Sequence, residues 1–190
     1  MRRTVYAMLV LGLCSSDVLA DALAGASKAQ ICLTCHQPQH RLAAMPLLEG
    51  QPAEYLYLQL KAYKDDRRSD PTMTMRPSAA NLSDTDMRDI SAFLAAQTAP
   101  SVAYQVDSAK VASGRSKAAT YGCADCHRGD QNATSAVPRL AGQALGYSMA
   151  QLQAFSTGTR AHGAGSTAAP AVTLSDGDIE DLANFFSQLR

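Results

Sequence analysis

The chain has 190 residues, 17 basic and 17 acidic side chains, a formal net charge of zero, and 46% hydrophobic and 6% aromatic residues. That balance excludes the basic surface of a nucleic-acid-binding protein and the polybasic tract of a protein held on an anionic membrane.

The first element in chain order is a leader. Arg2 and Arg3 precede an apolar run from Val5 to Leu13, and Val18-Leu19-Ala20 offers a cleavage site. The run is too short for a bilayer, which needs about 20 residues. Cys14 suggests a lipid anchor, but the residue before it is the bulky Leu13, where a lipoprotein site needs a small one. Residues 1–20 therefore read as a signal peptide cut after Ala20. No later apolar run is long enough to anchor the exported chain.

Four of the five cysteines lie beyond the leader, in "CLTCH" (Cys32, Cys35, His36) and "CADCH" (Cys123, Cys126, His127). An even count in an exported protein normally signals disulfides. A Cys-x-x-Cys disulfide, however, belongs to a βαβ redox setting, and no strand pattern accompanies these pairs. C-x-x-C-H is the attachment signal for c-type haem. Two thiols one helical turn apart form thioethers with the two vinyl groups on one porphyrin edge, and the adjacent histidine then lies under the ring, where its imidazole can bind iron. Zinc is the rival, with two C-x-x-C knuckles making one tetrahedral site. It neither needs a histidine after each pair nor explains a duplicated flanking sequence.

That duplication is extensive. Residues 45–63 line up with 137–155 at an offset of 92, matching Pro46 with Pro138, Gly50 with Gly142, Gln51 with Gln143, Tyr55 with Tyr147, Gln59 with Gln151 and Leu60 with Leu152. "LSDTDMRDISAF" (82–93) matches "LSDGDIEDLANF" (174–185) at the same offset, and the cysteine motifs lie 91 apart. Each unit reads as helical. Leu56, Leu60 and Tyr63 share one face of a helix over 52–64, with Pro52 suited to its first turn. Ser83 with Asp86, and Ser175 with Asp178, are capping signals. Met87, Ile90 and Leu94 follow in one copy and Ile179, Leu182 and Phe186 in the other, as core stripes. The stretch 98–105 carries a proline, loses the helical pattern and serves as a linker. Two helical units of about 80 residues with few aromatics have thin cores, so a large apolar group is expected to complete each one.

These motifs resemble the dihaem cytochrome c4 family. The resemblance rests on both C-x-x-C-H motifs, the repeated P-x-L-x-G-Q…Y…Q-L block and the repeated L-S-D-x-D helix start, and it covers essentially the whole exported chain. It implies an all-α fold of two tandem class I cytochrome c domains, 21–97 and 107–190, joined by a linker at 98–106. Each domain would wrap one covalently bound haem c with its iron. It further implies a periplasmic electron carrier whose partners are redox proteins, such as a membrane terminal oxidase or a dehydrogenase subunit. Carried over by position, Cys32 and Cys35 hold the first haem with His36 as proximal ligand, and Cys123, Cys126 and His127 do the same for the second. Pro46 and Pro138 match the family proline whose carbonyl accepts a hydrogen bond from the proximal imidazole; simple turn prolines are the alternative. Arg160 aligns with Arg68, implying a shared role such as pairing with a haem propionate. "HQPQH" (36–40) departs from the glycines usual after the motif, and His40 reads as a surface histidine.

In this family the sixth ligand is a methionine about seven residues ahead of the last helix's L-S start. Met75 fits that position, with Met73 the runner-up. In the second copy the matching residue is Thr167, and 150–190 contains no methionine. Three readings stay open for the second distal face: His162 swings in, the position is open or water-filled, or Met149, otherwise a packing residue, serves. The leading function is electron transfer. The alternative is a haem subunit or enzyme acting on a small sulfur compound or peroxide at an open or bis-histidine second site.

Overall fold

The computed structural model describes residues 16–37, 45–127, 135–162 and 173–189; the leader through residue 15, His40 and Thr167 lie outside them. Eight helices are described and, among these residues, no strand. The first domain contains α1 (Ser16–Leu33), α2 (Ala53–Lys64), α3 (Met75–Ala80) and α4 (Asp84–Ala96). The second contains α5 (Ser108–Thr120), α6 (Cys123–Cys126), α7 (Leu145–Ser156) and α8 (Asp176–Gln188). In the first, α4 packs against α1 and α2, and α3 against α2; in the second, α8 packs against α5 and α7. None of the described helices is long and apolar enough to cross a membrane. Helix α1 runs through the expected cleavage position after Ala20.

Both capping signals become complete capping boxes. Ser83 Oγ accepts from the Asp86 amide and the Asp86 carboxylate accepts from the Ser83 amide; Ser175 and Asp178 repeat the pair. The stripes that follow are the core: Met87, Ile90 and Leu94 are buried on α4, and Ile179, Leu182 and Phe186 on α8. Burying each such side chain contributes about 1.5–3 kcal/mol. On α2, Leu56 and Tyr63 are buried and Leu60 packs at the margin.

The helix crossings rest on a motif the repeat alignment skipped. Gly25-Ala-Ser27-Lys28 recurs as Gly114-Arg-Ser116-Lys117, at an offset of 89. A Cβ on Gly25 would lie 2.0 Å from the Asp89 carbonyl oxygen, and one on Gly114 would lie 2.1 Å from that of Asp181. Only glycine lets α1 approach α4, and α5 approach α8, this closely. One turn on, Lys28 bridges Asp86 and Asp89 at 2.7 and 2.5 Å, and Lys117 bridges Asp178 and Asp181 at 2.8 and 2.7 Å. From lysine to cysteine the second copy is two residues longer. Helix α1 therefore continues through Cys32, whereas α5 stops at Thr120 and the second cysteine pair starts its own one-turn helix, α6.

Candidate functional site

Each cysteine motif ends in a tight turn. The His36 amide donates to the Cys32 carbonyl, and the His127 amide to the Cys123 carbonyl, both at 3.0 Å. None of Cys32, Cys35, Cys123 and Cys126 forms a disulfide. Burial pushes the Cys32 and Cys123 thiols up, the reverse of what an attacking thiolate needs. Among the described residues no three histidine, cysteine or acidic side chains gather as a metal cluster, so the two cysteine pairs do not converge on one tetrahedral zinc site.

Both histidines are held by the proline carbonyls. His36 Nδ1 lies 3.0 Å from the Pro46 carbonyl oxygen, and His127 Nδ1 lies 2.9 Å from that of Pro138. With Nδ1–H donating, Nε2 keeps its lone pair for a metal. Burial lowers both imidazole pKa values and outweighs the opposing carbonyl bond, which keeps the rings in the neutral form that ligates.

The residue after each proline is gripped from the other domain. Gln143 Oε1 accepts from the Leu47 amide at 2.8 Å, and its Nε2 donates to the Leu47 carbonyl at 3.0 Å. Gln51 makes the same two bonds to Arg139, accepting at 2.9 Å and donating at 2.8 Å. Gly50 and Gly142, at φ 69° and 68°, take the left-handed turn that precedes each glutamine. The repeated Gly-Gln pair is thus an interdomain clasp, two hydrogen bonds removed from His36 and His127.

Beside the clasp, two guanidinium groups share one cluster. Arg68 Nη1 donates to Gln59 at 2.6 Å, and its Nη2 to Tyr147 at 3.0 Å and Gln151 at 3.2 Å. Arg160 donates to Gln151, to Gln59 at 3.0 Å and to Tyr55 at 3.4 Å. Arg68 is buried, its charge is felt at His36, and its Nε has no partner. Among the described residues, every side-chain hydrogen-bond partner of these two cations is neutral. Arg68 is buried and Arg160 half-buried beside it; two like charges withdrawn from water in this way call for anions, and the propionates on one haem edge are the right class of group. The chemistry of the donor set fits haem in both domains: a thiol pair, an oriented neutral imidazole, and cations for the carboxylates.

The copies differ in the segments that follow Arg68 and Arg160. Met75 opens α3 half-buried, while Met73 is 75% exposed. The Asp70 carboxylate accepts from the Thr72 and Thr74 amides at 3.1 and 3.2 Å, from the Thr72 hydroxyl at 2.5 Å and from the Met75 amide at 3.0 Å. In the second domain the His162 ring lies parallel to that of His127, with planes 3° apart and centroids 6.1 Å apart. Sequence matching marked the glutamines, tyrosines and arginines as repeated positions but not as partners across the interface, and it gave Asp70 no role.

A sequence model of the family described as Cytochrome c matches residues 23–98 and 111–190. Cytochrome c4 of Pseudomonas aeruginosa is 31% identical over 199 residues, 98% of each chain. Cytochrome c-552 of Acidithiobacillus ferridurans is 31% identical over 195 residues, 96% of this chain and 84% of its own. A thiosulfate dehydrogenase electron acceptor of Stutzerimonas stutzeri is 31% identical over 175 residues, 85% of this chain and 80% of its own. Among solved structures, cytochrome c4 of Acidithiobacillus ferrooxidans matches with a TM-score of 0.68 at 28% identity, covering 85% of this chain and 99% of that one. A thiosulfate dehydrogenase of Marichromatium purpuratum matches at 0.70 and 28%, covering 87% of this chain and 40% of that one. The chain belongs to the cytochrome c family, as an electron-transfer protein of the cytochrome c4 group with two covalently bound haem c groups.

Proposed function

We propose that this protein is exported to the periplasm and carries electrons between protein partners through two unlike haem sites. In this reading Cys32 and Cys35 would hold the first haem by thioethers, and His36 and Met75 would ligate its iron. Cys123, Cys126 and His127 hold the second, which lacks the methionine. A c-type haem supplies a one-electron couple whose potential follows its axial ligands and surroundings. Pro46 and Pro138 fix the imidazoles so that Nε2 could ligate, and the burial of His36 and half-burial of His127 limit water at the rings. Arg68 and Arg160 gather the carboxylate edges at the domain interface, beside the Gln51 and Gln143 clasp. Each domain takes up one electron and returns it, with no bond made or broken.

The paired histidine–proline bonds, 3.0 and 2.9 Å in the two domains, carry the reading, because they orient two ring nitrogens for iron in the same way. The test is haem content with a potentiometric titration. Two haems per chain and two one-electron waves are expected; a single haem, or a single two-electron wave, would overturn it.

The likeness to the Stutzerimonas stutzeri electron acceptor supports a thiosulfate-oxidising dehydrogenase as the class of donor. The missing methionine favours a second reading, chemistry on a small sulfur compound or peroxide at the second haem. Thiosulfate or hydrogen peroxide added to the isolated protein separates the two. The carrier reading expects no turnover, and sustained consumption of either compound without a partner would sink it.

A further inference from the structure

We infer that His162 is the sixth ligand of the second haem, and that this exchange makes domain 2 the more reducing of the two sites. The inference rests on the haem-site reading above.

The first support is geometric. Two imidazoles on opposite faces of one metal, with bonds of about 2 Å and about 1 Å more from each nitrogen to its ring centre, have centroids about 6 Å apart. His127 and His162 stand 6.1 Å apart with planes 3° from parallel. Because His127 Nδ1 is engaged by Pro138, the ligating atom on that ring is Nε2.

The second support is positional. At the offset of 92, His162 stands opposite Asp70, and Thr167 opposite Met75. Asp70 builds the turn that delivers Met75, through the four bonds already described. The second copy has therefore lost the methionine and the carboxylate that positions it together, and an imidazole occupies the carboxylate's place. The chain reaches both places by the same route. The Arg68 amide donates to Ala62 at 3.1 Å, and the Arg160 amide to Ala154 at 3.0 Å. Arg68 lies over Tyr63 at 4.7 Å, and Arg160 over Phe155 at 4.6 Å. Phe155 then packs against His162, with centroids 4.8 Å apart and planes tilted by 43°, and so holds the ring's orientation.

Met149 is poorly placed to compete. Tyr147, Gln151 and Phe155, spaced four residues apart, form the face of α7 that meets the arginines and His162. Met149 lies two residues past Tyr147, about 200° around the helix. Its counterpart Tyr57 donates from that other side to Asp84 at 2.7 Å.

The consequence is a direction. Thioether ligation raises a haem potential, and His162 withholds it from domain 2. An electron delivered to either domain therefore settles in domain 1.

The test uses the full holo-protein, its haem content checked at two per chain, with electron paramagnetic resonance and carbon monoxide titration. Wild type should show two low-spin haems of unlike ligation and no stoichiometric uptake of carbon monoxide. His162→Ala should turn one of the two haems high-spin and open to carbon monoxide, and added imidazole should reverse the change. His162→Met should raise that haem's potential toward the other. The inference is overturned if wild type takes up one carbon monoxide per chain, if His162→Ala leaves both signals intact, or if Met149→Leu alone opens the site. Wild type decides even where the variants fail to fold. A wild-type haem content below two would instead sink the underlying reading of the domain as a haem site.

Discussion

Replacing Arg68 with methionine probes what neutralises the cleft between the domains, because the sign of the effect depends on it. Arg68 is 8% exposed, and its hydrogen bonds go to Gln59, Gln151 and Tyr147. If no anion lay beside them, Arg68 and Arg160 would be two like charges sharing two amide oxygens. An apolar side chain of similar length would then leave stability unchanged or raise it by about 1–4 kcal/mol. With haem carboxylates in the cleft, the same change strips the partner from a buried anion and costs about 3–5 kcal/mol. At about 2–4 °C per kcal/mol for a chain of this size, the haem-loaded variant should melt about 6–20 °C below wild type, followed by the helical circular dichroism signal. A melting temperature equal to or above wild type would refute the argument. Tyr147 gives a second measure. Burial raises its pKa, but Arg68 and then Arg160 pull it down to about 8. Anions in the cleft cancel that pull and return the phenol toward its ordinary value of about 10. The holo-protein should therefore show no tyrosinate absorbance near pH 8, and a rise there would count against the anions.

Three further outcomes can be measured directly. Met75→Ala should abolish the iron–methionine charge-transfer band and lower one potential, whereas Met73→Ala should leave both unchanged; the reverse pattern would reassign the ligand. Gln143→Leu strands the amide and carbonyl of buried Leu47, at about 1–3 kcal/mol for each group. It should loosen the domain clasp and speed proteolysis within 97–107, and an unchanged cleavage rate would contradict the clasp. Lys117 holds the Asp178 carboxyl well below the usual carboxylate range, with the Ser175 hydroxyl and amide adding to it. A depressed folded pKa stabilises the fold above the unfolded value of about 4 and loses that effect as pH falls below it. The stability gap between wild type and Lys117→Met should hold at neutral pH and shrink below about pH 4 in chemical denaturation. A gap of constant size down to pH 2 would contradict the coupling.

What could be read from the residues was whatever obeys a local rule. Thioether chemistry dictates the Cys-x-x-Cys-His spacing, capping dictates Ser83 with Asp86, and a 3.6-residue period places Met87, Ile90 and Leu94 in the core. The features that escaped are non-local. Gln51 and Gln143 look like matched positions within two copies, and nothing in either copy says that each one reaches into the other domain. Gly25 and Gly114 recur at an offset of 89 rather than 92, because the extra residues before Cys123 shift the register. Their purpose appears only when α4 and α8 press against them. Asp70 resembles any loop aspartate until its carboxylate collects the amides of Thr72, Thr74 and Met75.

The two copies keep most contacts and change a few, and on the proposed ligation that division lets two unlike sites share one frame. The proline carbonyls, the glutamine clasp, the arginine cluster and the lysine–aspartate bridges are present in both domains with nearly equal distances. All of them act on the proximal side, the domain interface or the helix crossings. The divergence falls just after Arg68 and Arg160, where one chain continues through Asp70 to Met75 and the other through His162. A distal ligand supplied by a short segment after a fixed arginine can be exchanged without disturbing the helices that hold the cysteines and the proximal histidine. On the proposed ligation, the potential of one domain could therefore be reset while its docking against the other stays the same. The proposed unequal ligation in an otherwise matched pair is the arrangement expected where an electron must leave by a preferred domain.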